Sequence, residues 1–433
     1  MNVENFSNVV CTVCGCCCDN LEVEVKAGTV SRVKNNCAMS LSKLMNFNNE
    51  RNLYPMVRRG GKLSRASFNE AIEMTASILS NAKYPLLYGW SSTSCEATEL
   101  GVELADYIGG VIDNTTGTCH GPAVLGIQDV GESTCTLGQI RNRADLMIYW
   151  GCNPVHAHPL HMLRYSALSK GRYRNGRKER KVIVVDIRRT DTAKIADHFL
   201  MTKPNKDYEL LSALTSAVKD NEIEHEEVAG ISLEKIEEIA DLMVNCEFGI
   251  LFFGLGLTMS VGKSKNIDMA LSLVRELNKR TKFLIMPMRG HFNVTGANHV
   301  TAWQTGYPYA VDLSKGYPVY NPGETSAVDI LMRNESDAAL VVASDPISNF
   351  PAQAARNLAK IPLITVDPHT TPTTLCSDVV FPSAHIGIEV EGSVYRMDGV
   401  VLEAKKIVNP PKGIRSDVEI LSAILKKVKQ IKR

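Results

Sequence analysis

The sequence predicts an α/β protein, with a small cysteine-rich subdomain at its N-terminus and two pseudo-equivalent domains built on parallel sheets. Three observations carry that expectation. From Ser67 onward, short apolar runs alternate with amphipathic helical stretches, the pattern of βαβ units. Two stretches align without a gap, Val185-Asp-Ile-Arg-Arg-Thr-Asp-Thr-Ala-Lys-Ile-Ala-Asp197 and Val366-Asp-Pro-His-Thr-Thr-Pro-Thr-Thr-Leu-Cys-Ser-Asp378. Both keep Val-Asp, then Thr-x-Thr, then Asp. Finally, six of the twelve cysteines lie between Cys11 and Cys37.

Composition bounds the function. The 433 residues, 44% of them hydrophobic, suffice for two or three domains with buried cores. Lys and Arg number 48 against 47 Asp and Glu, which leaves no global charge to hold nucleic acid or an anionic membrane. The N-terminus lacks the basic and apolar regions of a signal peptide, and no apolar run approaches the ~20 residues of a membrane span, so a cytoplasmic protein is expected. In a reducing compartment clustered cysteines point to metal or redox chemistry rather than disulfides. The expected divisions are residues 1–66, 67–330 and 331–433, interleaved in space.

Within the first division Cys11, Cys14 and Cys18 are spaced Cys-x2-Cys-x3-Cys. Leu21 to Val33 alternates apolar and polar residues around a break at Lys26-Ala27-Gly28, a hairpin that carries the chain out and back so that Cys37 returns beside them. The spacing suits a 4Fe-4S cluster. A structural zinc site is the alternative, although zinc motifs usually show a second Cys-x2-Cys pair and none is present. Cys16 and Cys17 are left without a role.

Ser67 and Glu70 form a capping box for a helix with Ala71, Ile72, Thr75, Ile78 and Leu79 on one face. A strand at Pro85–Tyr88, a helix from about Glu96 to Ile108 ending at Gly109-Gly110, and a strand at Val111-Ile112 follow. Leu146–Trp150, Val182–Val185, Ile250–Phe253, Phe283–Met286, Leu340–Ala343 and Leu363–Val366 continue the strand series. Upstream of each aligned stretch a strand ends in a related turn, Gly151-Cys-Asn-Pro154 and Ala343-Ser-Asp-Pro346. Ligands of parallel sheets bind at the carboxyl ends of strands. Asp186 and Asp367 are thus placed to accept from a ribose hydroxyl or a guanine edge, and the threonines with neighbouring amides to bind phosphate oxygens. One such Asp alone often just caps a turn. The duplication favours two nucleotide-like ligands.

Thr116-Gly-Thr-Cys-His-Gly-Pro122 is a polar loop before a helix starting near Pro122. A Cys at such a loop tip is placed to give a thiolate to a metal, with His120 at hand for proton transfer; a buried, nonfunctional Cys-His pair is the competing reading. After the strand at Phe283–Met286 comes Pro287-Met-Arg-Gly-His-Phe-Asn293, and from there to about Ala327 no period is sustained, the mark of a long functional loop covering a cleft. Arg289 suits a carboxylate or bent CO2-like oxygens, or equally a structural ion pair. The tract Val155-His-Ala-His-Pro-Leu-His161 is assigned no metal. Ser416 and Glu419 cap a final helix through Val428.

The cysteine cluster, the paired Gly/Ala-x-Asn/Asp-Pro and Asp-x-x-x-Thr-x-Thr signatures, and the Glu391-Gly392-Ser segment resemble the molybdenum and tungsten bis-pterin enzymes, the dimethyl sulfoxide reductase and formate dehydrogenase superfamily. Tyr88-Gly-Trp, Thr118-Cys-His-Gly-Pro, Tyr149-Trp-Gly-Cys-Asn-Pro-Val-His-Ala-His-Pro, Pro287-Met-Arg-Gly-His and Tyr307-Pro-Tyr resemble the family of formylmethanofuran dehydrogenase B-type subunits, over nearly the whole chain. The resemblance implies that Cys119 ligates tungsten or molybdenum carried by two pterin guanine dinucleotides, with Mg2+ an additional candidate ion. One dinucleotide would lie on Gly151, Asn153, Pro154, Asp186, Arg188, Thr190 and Thr192, the other on Ser344, Asp345, Pro346, Asp367, Thr371 and Thr373, with Glu391 and Gly392 contributing. His120 and Arg289 would face the metal, and Cys11, Cys14, Cys18 and Cys37 would hold the electron-delivering 4Fe-4S cluster. The implied reaction is reversible reduction of CO2 to formate, passed to an amidohydrolase partner for condensation with methanofuran in methanogenesis. Larger relatives add a C-terminal barrel that is absent here, so a barrel subunit and a polyferredoxin-type donor are further implied partners. A formate dehydrogenase acting on free formate, or a metal-free electron-relay subunit of the same fold, are the rival readings.

Overall fold

The apolar runs form two main sheets, each the spine of one of two compact units in a computed structural model that describes residues 3–432. A host unit gathers the chain up to Thr118, His291–Arg396 and Val401–Arg433. An inserted unit consists of Cys119–Gly290 with Met397–Val400. Among the described residues no helix is long and apolar enough to cross a membrane.

The inserted unit holds five parallel strands in the spatial order His198–Met201, Lys181–Asp186, Leu146–Trp150, Phe248–Phe253, Lys282–Pro287. Leu146–Trp150 and Phe248–Phe253 are buried at every residue, as strands covered by helices on both faces must be. The strand order reverses between these two, and in open parallel sheets that switch point opens a crevice beyond the carboxyl ends.

The host unit's sheet has nine strands. Its parallel centre runs Val379–Phe381, Leu363–Val366, Ala338–Val342, Pro85–Gly89, Val111–Asn114. Hairpins close both edges in antiparallel fashion, Met56–Arg59 with Lys62–Arg65 on one side and Val311–Asp312 with Val319–Tyr320 on the other.

Matching the aligned stretches places Ala338–Val342 on Leu146–Trp150, and the spatial order of five strands then coincides. The chain order does not. In the host unit the two strands beyond the switch point come first, and in the inserted unit they come last, so the sheets are circular permutations of one another. Even the strand starts agree. Asp145 accepts from the Phe248 and Glu247 amides at 2.8 and 2.9 Å, and Asp337 accepts from the Tyr84 and Lys83 amides at 2.9 and 2.7 Å.

The N-terminal hairpin forms as expected, in an antiparallel sheet of Val3–Val9, Leu21–Lys26 and Thr29–Lys34. Ala27 and Gly28 both have positive φ, 51° and 75°, the twist-matched hairpin turn. The final helix, Asp417–Ile431, carries the Ser416/Glu419 box. At Ser67 only half of the box forms, because Glu70 turns to Arg59. The stretch from 287 to 327 needs correction, since it contains a helix, Val294–Thr305. Val294, Thr295, Gly296, Ala297 and Asn298 are all buried, so the helix enters enclosed on every side and shows no amphipathic stripe to read.

Candidate functional site

The two aligned stretches build the same cradle twice. In each, the residue after the strand turns through positive φ, 55° at Gly151 and 48° at Ala343, and its amide donates to the neighbouring strand, to Val185 O and Val366 O, both at 2.9 Å. Two residues on, Asn153 and Asp345 precede short helices opened by Pro154 and Pro346, with matching φ of −124°. Thr192 Oγ1 donates to Asn153 Oδ1, and Thr373 Oγ1 to Asp345 Oδ1, each at 2.5 Å. Asp186 Oδ1 accepts from the Arg188 amide at 3.3 Å, and Asp367 Oδ1 from the His369 amide at 2.8 Å. Two gap-free stretches have thus folded into one hydrogen-bond pattern.

Each cradle opens into a cleft at the carboxyl end of its sheet. The inserted unit's cleft, ≈ 250 Å³, is lined by Gly151, Asp186, Thr202, Asp207, Gly256 and Ser260. The host unit's, ≈ 170 Å³, is lined by Ala343, Asp367, His369, Ser383, His385 and Asp417. Burial raises the carboxyl of Asp186 and pushes that of Asp367 up to about 7. Both present acceptor oxygens suited to hydroxyl or amide donors of a nucleotide. At Gly151 a Cβ would lie 2.7–2.8 Å from the backbone of Gly256 and Leu257, so only glycine allows this close approach.

The other cradle residues fall in different roles. Thr190 and Thr371 precede the short helices Asp191–Ile195 and Pro372–Cys376; the Thr190 hydroxyl is buried without a partner, whereas Thr371 is engaged in a reciprocal box with Thr374. Arg188 and Glu391 are exposed, Ser344 is half-buried, and Gly392 opens the strand Gly392–Tyr395, where a Cβ would meet the side chains of Ser94 and Ile386 at 2.7 and 2.8 Å. Sequence reasoning missed Glu389, which is buried and binds Arg51 through both oxygens at 2.6 and 2.7 Å while accepting from the His385 amide at 2.8 Å. No local pattern marks that pair, whose members are 338 residues apart.

Cys119, His120 and Arg289 belong to the inserted unit. Thr258 Oγ1 donates to Cys119 O at 3.1 Å and fixes the loop, and His120 then starts the helix Gly121–Val130. The Cys119 thiol is uncrosslinked; burial pushes it up to about 11, and Arg289 pulls the other way. Burial, then Arg289, lower His120 to about 3, and its Nδ1 has no partner. Arg289 is held from behind by His158, whose Nε2 donates to Arg289 O at 2.8 Å. One histidine of the unassigned tract therefore positions the arginine's main chain. His161 hydrogen-bonds Ser166 Oγ at 3.1 Å inside the core, and His156 pairs at the surface with Asp191.

In the host unit Cys11, Cys14 and Cys18 lie in one another's electrostatic field, all buried, and their crowding adds to burial in raising Cys11 to about 12. Cys37 precedes the helix Ala38–Asn46 and accepts from the Ser40 amide. Among the described residues no three His, Cys, Asp or Glu side chains converge on a single ion. A cluster binds thiolates at separate corners, and the thiols of Cys11, Cys14 and Cys18, buried, and Cys37, half-buried, are all uncrosslinked, the donor type it requires. Cys17, in the positive-φ region at 36°, donates its thiol to Phe292 O at 3.1 Å and so packs as a structural residue.

Residues 51–427 match the family described as Molybdopterin oxidoreductase. The chain is 49% identical to the B-type subunit of tungsten-containing formylmethanofuran dehydrogenase 2 of Methanocaldococcus jannaschii, over 99% of this chain and 100% of that one. It is 48% identical to the protein of the same description from Methanococcus maripaludis, with the same coverage. Its fold is similar to that of a chain of the formyltransferase/hydrolase complex of Methylorubrum extorquens in complex with methylofuran, at TM-score 0.70 and 20% identity, covering 87% of this chain and 99% of that chain.

Proposed function

From the premise that this chain belongs to the molybdopterin oxidoreductase family, among the formylmethanofuran dehydrogenase B-type subunits, we propose that it is the catalytic subunit that reversibly reduces CO2 to formate in a multi-subunit complex. Tungsten or molybdenum would be held by Cys119 and by the dithiolene sulfurs of two pterin guanine dinucleotides, one in each cradle. The bound metal supplies two-electron redox chemistry at a soft-ligated centre. A 4Fe-4S cluster on Cys11, Cys14, Cys18 and Cys37 would relay single electrons from a ferredoxin-type donor. Formate would pass to an amidohydrolase subunit for condensation with methanofuran.

The chain's own groups fit these tasks. Arg289 stays cationic even when desolvated and stabilises the carboxylate charge that develops. His120 offers a neutral ring beside it. The observation that carries the reading is the duplicated cradle, two clefts at strand ends with one hydrogen-bond pattern, in a chain with a free thiol on the loop beside Arg289. Metal analysis of the purified complex tests it. One tungsten or molybdenum per chain is expected, and a Cys119→Ala variant should keep its iron–sulfur signal while losing turnover. Active preparations without either metal would refute the assignment.

A further inference from the structure

We propose that Glu132 is the proton port of the reaction centre in the inserted unit, taking protons from water in the cleft beside it and passing them toward the group formed by Cys119, His120 and Arg289. The inference rests on the CO2-reduction reading above and gives that site its proton supply.

The chain brings Glu132 to this place in two steps. The helix Gly121–Val130 starts at the Cys119-His120 loop and is stopped by Gly131 at φ 78°, whose amide donates to Ile127 O at 2.8 Å. The next residues run along the open edge of the sheet, where the Ile285 amide donates to Ser133 O at 2.9 Å. Ile285 belongs to the strand Lys282–Pro287, which leads directly into Met288 and Arg289. Glu132 and Arg289 consequently sit in each other's field, and Arg289 has the Cys119 thiol as its other acidic neighbour.

Glu132 is not a simple counter-ion. Its Oε1 is enclosed and has no hydrogen-bond partner, an arrangement that costs free energy and calls for a ligand or water. It borders a cleft of ≈ 300 Å³ shared with Ser133, Ser272, Arg275 and Asn278. That volume is large enough for several waters, and its walls carry the Ser133 and Ser272 hydroxyls and the Asn278 amide that could order them. The charged or titratable groups around the carboxyl are Arg289 at the strand end, Arg275 on the helix Ser264–Leu277, and Cys135 on its own segment, with Lys282 and Asp398 beyond Cys135. Burial outweighs the pull of Arg289 and holds the carboxyl up at about 7, where a group both binds and releases protons readily.

The balance is simple. Reducing CO2 to formate consumes two electrons and one proton and makes one C–H bond. The electrons come from the external donor of the proposed activity. The proton leaves the Glu132 carboxylic acid as a carboxylate and is replaced from cleft water, and formate oxidation runs the same path outward.

The test uses the whole complex with Glu132→Gln and Glu132→Ala, after metal and nucleotide contents have been shown equal to wild type. CO2 reduction should fall by about 10²-fold, the lower end of what acid–base groups contribute, with the KM for CO2 nearly unchanged. Added acetic acid should partly restore the Ala variant, whose emptied site opens on the cleft, and not the Gln variant. Infrared difference spectra of the wild type should show a protonated carboxylic acid that titrates near neutral pH and is missing from Glu132→Gln. An undiminished rate in Glu132→Gln, or a loss without rescue and without that band, overturns the proposal. A metal-loaded wild type that leaves CO2 unreduced would instead refute the function reading, while the infrared titration would still judge Glu132.

Discussion

The cradle of the inserted unit and that of the host unit are the same device reached by differently ordered chains. Both join a positive-φ turn, a polar residue before a helix-opening proline, and a threonine hydroxyl donated across from the neighbouring loop. Their differences lie behind the device. Gly151 lets the backbone of Gly256 approach, where Ala343 carries a side chain in the same turn. The accepting group is the neutral amide of Asn153 in one and the carboxylate of Asp345 in the other. Asp207 takes the Trp150 indole N–H at 2.8 Å in the inserted unit, while the Arg51–Glu389 pair braces the host unit's cleft through Ser383 O and the His385 amide. The lesson is that the hydrogen-bonded loop is what the two sites share, and that chain order and supporting core are free to differ.

Substitutions break this comparison in graded ways, measured as unfolding free energies of the full chain. The largest effect belongs to the host unit alone. Glu389→Ala leaves Arg51 buried and unpaired and should cost about 3–5 kcal/mol. Gly151→Ala comes next, because the new Cβ meets backbone and φ is left-handed; about 2–4 kcal/mol is expected from overpacking and strain together. The mirror change, Ala343→Gly, should instead be neutral or stabilising by up to about 1 kcal/mol, since a strained non-glycine turn is relieved. An equal loss from both would mean that the turns are not equivalent.

The threonine pair sharpens the same point with a smaller signal. Thr373→Val removes a hydrogen bond to a carboxylate and should cost about 1.5–3 kcal/mol, against about 0.5–1.5 for Thr192→Val, which faces an amide. Reversal of that order would place the charge of Asp345 elsewhere than on Thr373. Each variant should lower the content of one bound nucleotide and leave the other in place.

Much of this was legible in the sequence because the shared parts are short and local. Val-Asp, Thr-x-Thr and Asn/Asp-Pro are contiguous motifs, and their spacing survives as hydrogen-bond geometry. The permutation was not legible, since Pro85–Gly89 and Phe248–Phe253 correspond in space but share only one leucine, Leu87 with Leu251, and general apolar character. Neither was the helix at Val294–Thr305, whose first five residues are all buried, so that no stripe of alternating exposure reveals an amphipathic helix. Glu389 and Arg51 were invisible for another reason, a contact made across most of the chain. Of the Glu391-Gly392 pattern, Glu391 is exposed, and the buried carboxylate of that segment is Glu389, two residues earlier.

The central claim is that the two cradles are equivalent nucleotide sites, and counting nucleotides tests it most directly. Acid release of the cofactor from the purified complex, followed by chromatographic quantification, should give two guanine nucleotides per chain, falling to one when either threonine is replaced by valine. A content of one in the wild type, or a threonine variant that loses both together, would contradict the account.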